Sequence, residues 1–101
     1  MPTIAFDLDN TLCETQGTDY KNSKPIQYRI NCVNELYKKC TIIIFTGRGS
    51  VSGINWTKLT KKQLKEWGVK YHRLILGKPN YDFFIDDKAM NVETFDRTSW
   101  T

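Results

Sequence analysis

The sequence predicts an α/β domain with a mainly parallel sheet flanked by helices. Three observations carry that reading. Short apolar runs of strand length alternate with stretches of helical periodicity along the chain. The run Thr41-Ile-Ile-Ile-Phe45 is apolar on both faces, as a strand inside a parallel sheet requires. At 101 residues, with no repeat, linker or low-complexity stretch, the chain suits a single domain spanning 1–101 and leaves no room for a second one.

Each element has its own signals. Thr3-Ile-Ala-Phe6 is a short β-prone run that ends in Asp7-Leu8-Asp9. Leu12 to Lys24 is polar, turns at Gly17, and suits a small hairpin or flap. Pro25 opens a helix whose apolar stripe is Ile26, Ile30, Val33, Leu36 and Tyr37. The Thr41–Phe45 strand then ends in Thr46-Gly47-Arg48-Gly49, where the chain must turn. Ser50 to Leu59 reads as a loop. Thr60 and Gln63 have the spacing of a capping box, Leu59 and Leu64 that of a hydrophobic staple, and Gly68 marks the helix end. Tyr71 to Leu76 and Tyr81 to Ile85 are two further strands. Only Gly77 to Asn80 clearly separate them, whereas a parallel crossover needs about a dozen residues. Either that crossover is a bare extended segment, or one of the strands is shorter than drawn.

Composition excludes several classes. A chain with 40% hydrophobic residues is too apolar to stay disordered. No apolar run approaches the ~18–20 residues of a membrane span. The segment Met1-Pro-Thr-Ile-Ala-Phe-Asp7 has neither the basic region nor the long apolar region of a secretory signal, so a soluble, cytoplasmic protein is expected. Cys13, Cys32 and Cys40 lack metal-ligand spacing, and lone thiols fit a reducing compartment. Cys13 has no nearby histidine to activate it and is not expected to be a nucleophile.

Charge narrows the chemistry. Lys and Arg outnumber Asp and Glu 15 to 11, and four of the acids fall in two tight pairs, Asp7 with Asp9 and Asp86 with Asp87. Set those aside and the surface is clearly basic, which attracts anions. In open parallel sheets, ligands bind outside the carboxyl ends of the strands. Asp7 and Asp9 follow the first strand, Thr46 the second, Lys78 the third, and Asp86 with Asp87 the last. Two carboxylates about 4 Å apart repel by roughly 4 kcal/mol at an effective dielectric near 20, so gathering several needs a cation or protonation. Hard oxygen donors favour Mg²⁺, and no His/Cys cluster argues for zinc.

These residues carry a resemblance. Phe6-Asp7-Leu8-Asp9-Asn10-Thr11-Leu12 resembles the DxDxT signature of the haloacid dehalogenase (HAD) superfamily of phosphohydrolases. Ile42-Ile-Ile-Phe-Thr46-Gly47 is similar to its second motif, Lys78 occupies its third, and Phe83-Phe-Ile-Asp86-Asp87 looks like its acidic fourth. All four occur in order over nearly the whole chain. The run from Thr46-Gly47-Arg48-Gly49-Ser50 through Trp56, Gln63-Leu64 and Trp67-Gly68 to Lys78-Pro79 resembles the small capsule-biosynthesis phosphatases of that superfamily.

The resemblance implies a Rossmann-like, HAD-type fold without a cap domain, and a mechanism. Asp7 attacks phosphorus to form an aspartyl-phosphate, and Asp9 serves as acid and then base. Thr46, Gly47 and Lys78 hold the phosphoryl oxygens. Mg²⁺ is held by Asp7, the backbone carbonyl of Asp9 and Asp86, with Asp87 binding directly or through water. Asp9 favours transfer of phosphate to water, because the ion pumps and dehalogenases of the superfamily lack an acid at that place. Mutases keep it, but they need a cap to exclude water.

With no cap, specificity falls to the Leu12–Lys24 flap and the Arg48–Trp56 loop. Arg48 suits a second phosphate or a carboxylate. Trp56 suits either stacking on a sugar face or anchoring its loop. Trp67 reads as core and His72, the single histidine, as structural or exposed. Lys58, Lys61, Lys62 and Lys65 form a helical stripe better read as a solvated face than a nucleic-acid contact, since no aromatic interleaving accompanies it. A site this open calls for a second subunit or partner to cover it.

The leading expectation is therefore a Mg²⁺-dependent phosphomonoesterase acting on a small phosphorylated metabolite, such as a sugar or polyol phosphate for capsule assembly. A nucleic-acid-end phosphatase is the rival among enzymes. A receiver-type signalling domain is the rival from another class, but there Lys comes last, whereas Lys78 precedes Asp86 and Asp87. Intact Asp7 and Asp9 argue against an inactive binding module.

Overall fold

The computed structural model describes residues 1–100. Along the chain run β1 (Thr3–Asp7), β2 (Cys13–Glu14), β3 (Lys24–Pro25), α1 (Gln27–Tyr37), β4 (Thr41–Thr46), α2 (Thr57–Glu66), β5 (Arg73–Leu76) and α3 (Val92–Arg97). β1, β4 and β5 form a parallel sheet in the order β1-β4-β5. Asp7 stands opposite Phe45 and Thr46 opposite Leu76, so the polar ends of all three strands share one edge. β2 and β3 pair antiparallel as a two-residue ribbon, the base of the expected flap.

The core lies on one face of the sheet. Phe6, Ile42 and Ile44 point into it and meet Ile30, Val33 and Leu36 of α1, Leu64 of α2 and Phe95 of α3. Phe6 and Phe95 pack edge to face with ring centres 5.3 Å apart. The other face is less covered: Ala5 is exposed, and Ile43 and Phe45 are only half-buried. This departs from the sealed two-faced strand that Thr41–Phe45 predicts.

α2 shows how tertiary context overrides a local signal. The helix begins at Thr57, three residues before the predicted N-cap Thr60. Thr60 and Gln63 are buried inside it and do not form a capping box. The predicted stop is found. Gly68 takes φ +71°, its N–H bonds the Lys65 carbonyl, and the Val69 N–H bonds that of Leu64, a Schellman motif.

Two further differences concern the C-terminal quarter. Tyr81–Ile85 forms no strand, so among the described residues the sheet has three strands, not four. The helix α3 was not among the predicted elements. Asn91 caps it by accepting from the Glu93 N–H at 2.9 Å, and Arg29 ties it to α1 through Asp96 at 2.9 Å. No helix among the described residues is long and apolar enough to cross a membrane.

Candidate active site

The local sequence around Asp7 sets the geometry. Leu8 is fully buried, which fixes the chain between two carboxylates that stay at the sheet edge. The backbone then turns back: the N–H groups of Thr11 and Leu12 both bond the Leu8 carbonyl, and Asn10 adopts φ +63°, a left-handed conformation that asparagine tolerates.

Asp7 is half-buried, and Lys78 Nζ lies 3.5 Å from its Oδ1. Burial raises the Asp7 carboxyl above its ordinary range, and the Lys78 charge beside it only partly offsets that. Burial works against the Lys78 ammonium too, but the Tyr81 hydroxyl and Asp7 outweigh it and hold Lys78 above its usual value. Three rings, Phe45, Tyr81 and Phe84, surround the ammonium at 5.9, 5.1 and 5.8 Å. Lys78 is positioned by the sheet itself, because its N–H bonds the Thr46 carbonyl at 3.1 Å and so extends the β4–β5 ladder. Gly47 permits that approach. A Cβ there would sit 3.1 Å from the Lys78 carbonyl oxygen.

Thr46 ends β4 fully buried, and its hydroxyl accepts from the Arg48 N–H at 3.2 Å. Asp7, Thr46, Gly47 and Lys78 therefore come together across three adjacent strand ends.

Arg48 occupies a different place from the one expected of a phosphate ligand. It is 2% exposed, and its donors are consumed inside the protein. Nε and Nη2 grip Asp9 at 3.0 and 2.9 Å. Nη1 donates to Thr60 Oγ1 at 3.1 Å and Gln63 Oε1 at 2.6 Å, and Nη2 also reaches Ser23 at 3.4 Å. The Tyr20 ring covers the guanidinium at 4.7 Å. Asp9 is held further by the Thr15 hydroxyl at 2.6 Å. The sequence carried a trace of this network, since Thr60 and Gln63 stand one helical turn apart. Their distant partner, 12 and 15 residues upstream, is set by tertiary packing.

Asp86 and Asp87 are exposed. Asp86 accepts from the Lys88 N–H at 2.7 Å, which with the neighbouring Asp87 holds its carboxyl below the usual range. Among the described residues no group of three or more His, Cys, Asp or Glu is placed to hold a metal ion. Asp86 and Asp87 follow a segment that pairs with no strand among the described residues.

The remaining candidates fall into structural places. Cys13 is buried, and burial raises its thiol. His72 Nδ1 accepts from the Ile42 N–H at 3.0 Å and its ring stacks on Tyr37. Trp56 packs edge to face on Tyr20 and lines a shallow cleft of about 280 Å³ with Ser50, Ile54 and Leu76. Lys58, Lys61, Lys62 and Lys65 are all exposed.

No protein-family model and no curated protein matches the chain. A crystal structure of a target protein from Vibrio cholerae is similar to it, with a TM-score of 0.88 and 27% identity over 99% of this chain and 91% of that one.

Proposed function

We propose that the protein is a capless, HAD-type phosphomonoesterase with Asp7 as its nucleophile. One observation carries the reading: a half-buried carboxylate at one strand end lies 3.5 Å from the ammonium of Lys78, whose backbone is bonded to Thr46 at the end of the strand between them. Such a pair suits a nucleophile and a cation that binds phosphoryl oxygens, and the resemblance adds Thr46. The resemblance of the Asp7–Leu12, Ile42–Gly47, Lys78 and Phe83–Asp87 segments to the four HAD motifs supports the same assignment.

In this mechanism an Asp7 oxygen bonds phosphorus as the ester P–O bond breaks. Asp9 gives the leaving alkoxide its proton. Water then attacks the aspartyl-phosphate, Asp9 takes a proton from it, and inorganic phosphate leaves with Asp7 restored. Lys78 and Thr46 align the phosphoryl group throughout, so catalysis is mainly positioning and charge stabilisation. Because Arg48 engages both Asp9 oxygens, one contact opens before Asp9 carries a proton. Mg²⁺ belongs to the same reading, with Asp7, the Asp9 carbonyl and Asp86 as the groups that would hold it, although no three acidic, His or Cys side chains cluster for it among the described residues.

The substrate class that fits is a small phosphorylated metabolite such as a sugar or polyol phosphate, with capsule assembly as the setting that the resemblance suggests. The test is phosphate release from a panel of such metabolites and from 3′-phosphorylated oligonucleotides, with and without Mg²⁺, beside Asp7→Asn. Turnover of small esters by the parent and none by the variant supports the proposal. Equal rates for the two refute it, and a long-lived phosphoprotein without release favours the receiver-type alternative.

A further inference from the structure

A single copy leaves two strand-forming features unpartnered. β1 is an end strand, and its outer edge has no backbone partner among the described residues. Tyr81-Asp-Phe-Phe-Ile85 has strand composition but no regular structure, with Phe83 87% and Ile85 94% exposed. Contiguous apolar exposure of this kind marks an interaction surface, and an open edge strand is a template for one.

The segment does not reach the edge of its own sheet. Lys78 is pinned to Thr46 by a backbone hydrogen bond. A parallel strand outside β1 would have to start about 14 Å sideways across the sheet and about 13 Å back along it. That is roughly 19 Å in a straight line through the sheet, and more around it. The five residues from Lys78 to Phe83 span at most ~18 Å. A second copy is under no such limit.

We infer that Phe83–Ile85 of one copy adds as a fourth parallel strand to the β1 edge of a second copy, reciprocally. The area is adequate. Tyr81, Phe83, Phe84, Ile85 and Met90 expose roughly 600 Å² of apolar side chain, given ~150–250 Å² for an aromatic. A reciprocal pair therefore buries at least about 1,200 Å², the lower bound of a stable interface. A two-fold pairing also closes on itself and leaves no free template. The parallel direction brings Asp86 and Asp87 to the carboxyl end of the second copy's β1, beside its Asp7. Each site would then draw its second acidic pair from the other chain. The strand pairing stands alone, whereas its meaning for catalysis rests on the phosphatase reading above.

The test is sedimentation velocity on the parent, Ile85→Asp and Phe83→Asp, joined to a mixing experiment. The parent should sediment at twice 11.8 kDa and both variants as monomers with unchanged far-UV circular dichroism, since both positions are exposed within one copy. A monomeric parent, or variants that stay dimeric, would overturn the pairing whether or not the protein hydrolyses any ester. Asp7→Asn and Asp86→Asn chains, each inactive alone, should regain about a quarter of parental activity when unfolded and refolded together, because half of the pairs are mixed and each has one intact site. No recovery, with an active dimeric parent, would show that Asp86 serves its own copy and would overturn the shared site.

Discussion

Arg48 grips Asp9 side-on, Nε at 3.0 Å from Oδ2 and Nη2 at 2.9 Å from Oδ1, while its third nitrogen is tied to Thr60 and Gln63 of α2. One buried guanidinium therefore links the loop after β1 to the helix after β4. It fixes the direction of the second acid from behind, on the side away from solvent.

Arg48→Met should be among the most damaging single changes. It leaves Asp9 without its cation and Thr60 and Gln63 without the donor to their side-chain oxygens, and breaking a buried pair in this way costs about 3–5 kcal/mol. Arg48→Lys should recover little, because one ammonium does not span Asp9 and Gln63 together. Urea titration checks the stability, and phosphate release should fall with it. A Lys variant as stable as the parent would contradict the network.

Asp7→Asn separates catalysis from stability. The folded protein raises the Asp7 carboxyl, mainly by burial, so ionising it costs stability as pH rises through the folded value. The variant should lose phosphate release yet melt as high as the parent or a few degrees higher at pH 7. That difference should vanish below about pH 4, where both states of the parent are protonated. Thermal melts across pH measure it.

The Arg29–Asp96 clamp has the opposite sign. Arg29 holds Asp96 below its ordinary range, so its contribution is present at neutral pH and is lost as acid protonates Asp96. Arg29→Met should lower the melting temperature at pH 7, and the gap to the parent should narrow below about pH 4. Hydrogen exchange should show α3 opening more readily in the variant.

Gly49→Ala should disrupt the loop after β4. Gly49 adopts φ +80°, and a Cβ there would collide with the Ile54 carbonyl oxygen. The strained backbone alone costs about 1–3 kcal/mol, with the collision added. Gly53→Ala has a similar φ of +75° but open space around it, so it should be milder. Denaturation midpoints of the two variants rank them.

The parts of the fold legible in the sequence were those fixed by local pattern. The stripe Ile30, Val33 and Leu36, the run Thr41–Phe45 and the stop at Gly68 each carry their cause within a few residues. The meeting of Asp7, Thr46 and Lys78 was legible too, because a parallel sheet gathers its strand ends at one edge. What failed depends on distant partners. Thr60 and Gln63 have the spacing of a cap, yet Arg48 claims their oxygens. Tyr81–Ile85 has the composition of a strand, yet it finds no strand partner among the described residues. α3 was missed because six residues with one buried side chain, Phe95, leave almost no periodicity to read.

The most direct test of the account is to quench the protein in acid during turnover of a phosphate ester it hydrolyses and to map the phosphorylated peptide. The account predicts acyl-phosphate on Asp7, absent from Asp7→Asn and diminished in Lys78→Met. Phosphate on another residue, or steady turnover by Asp7→Asn, would contradict it.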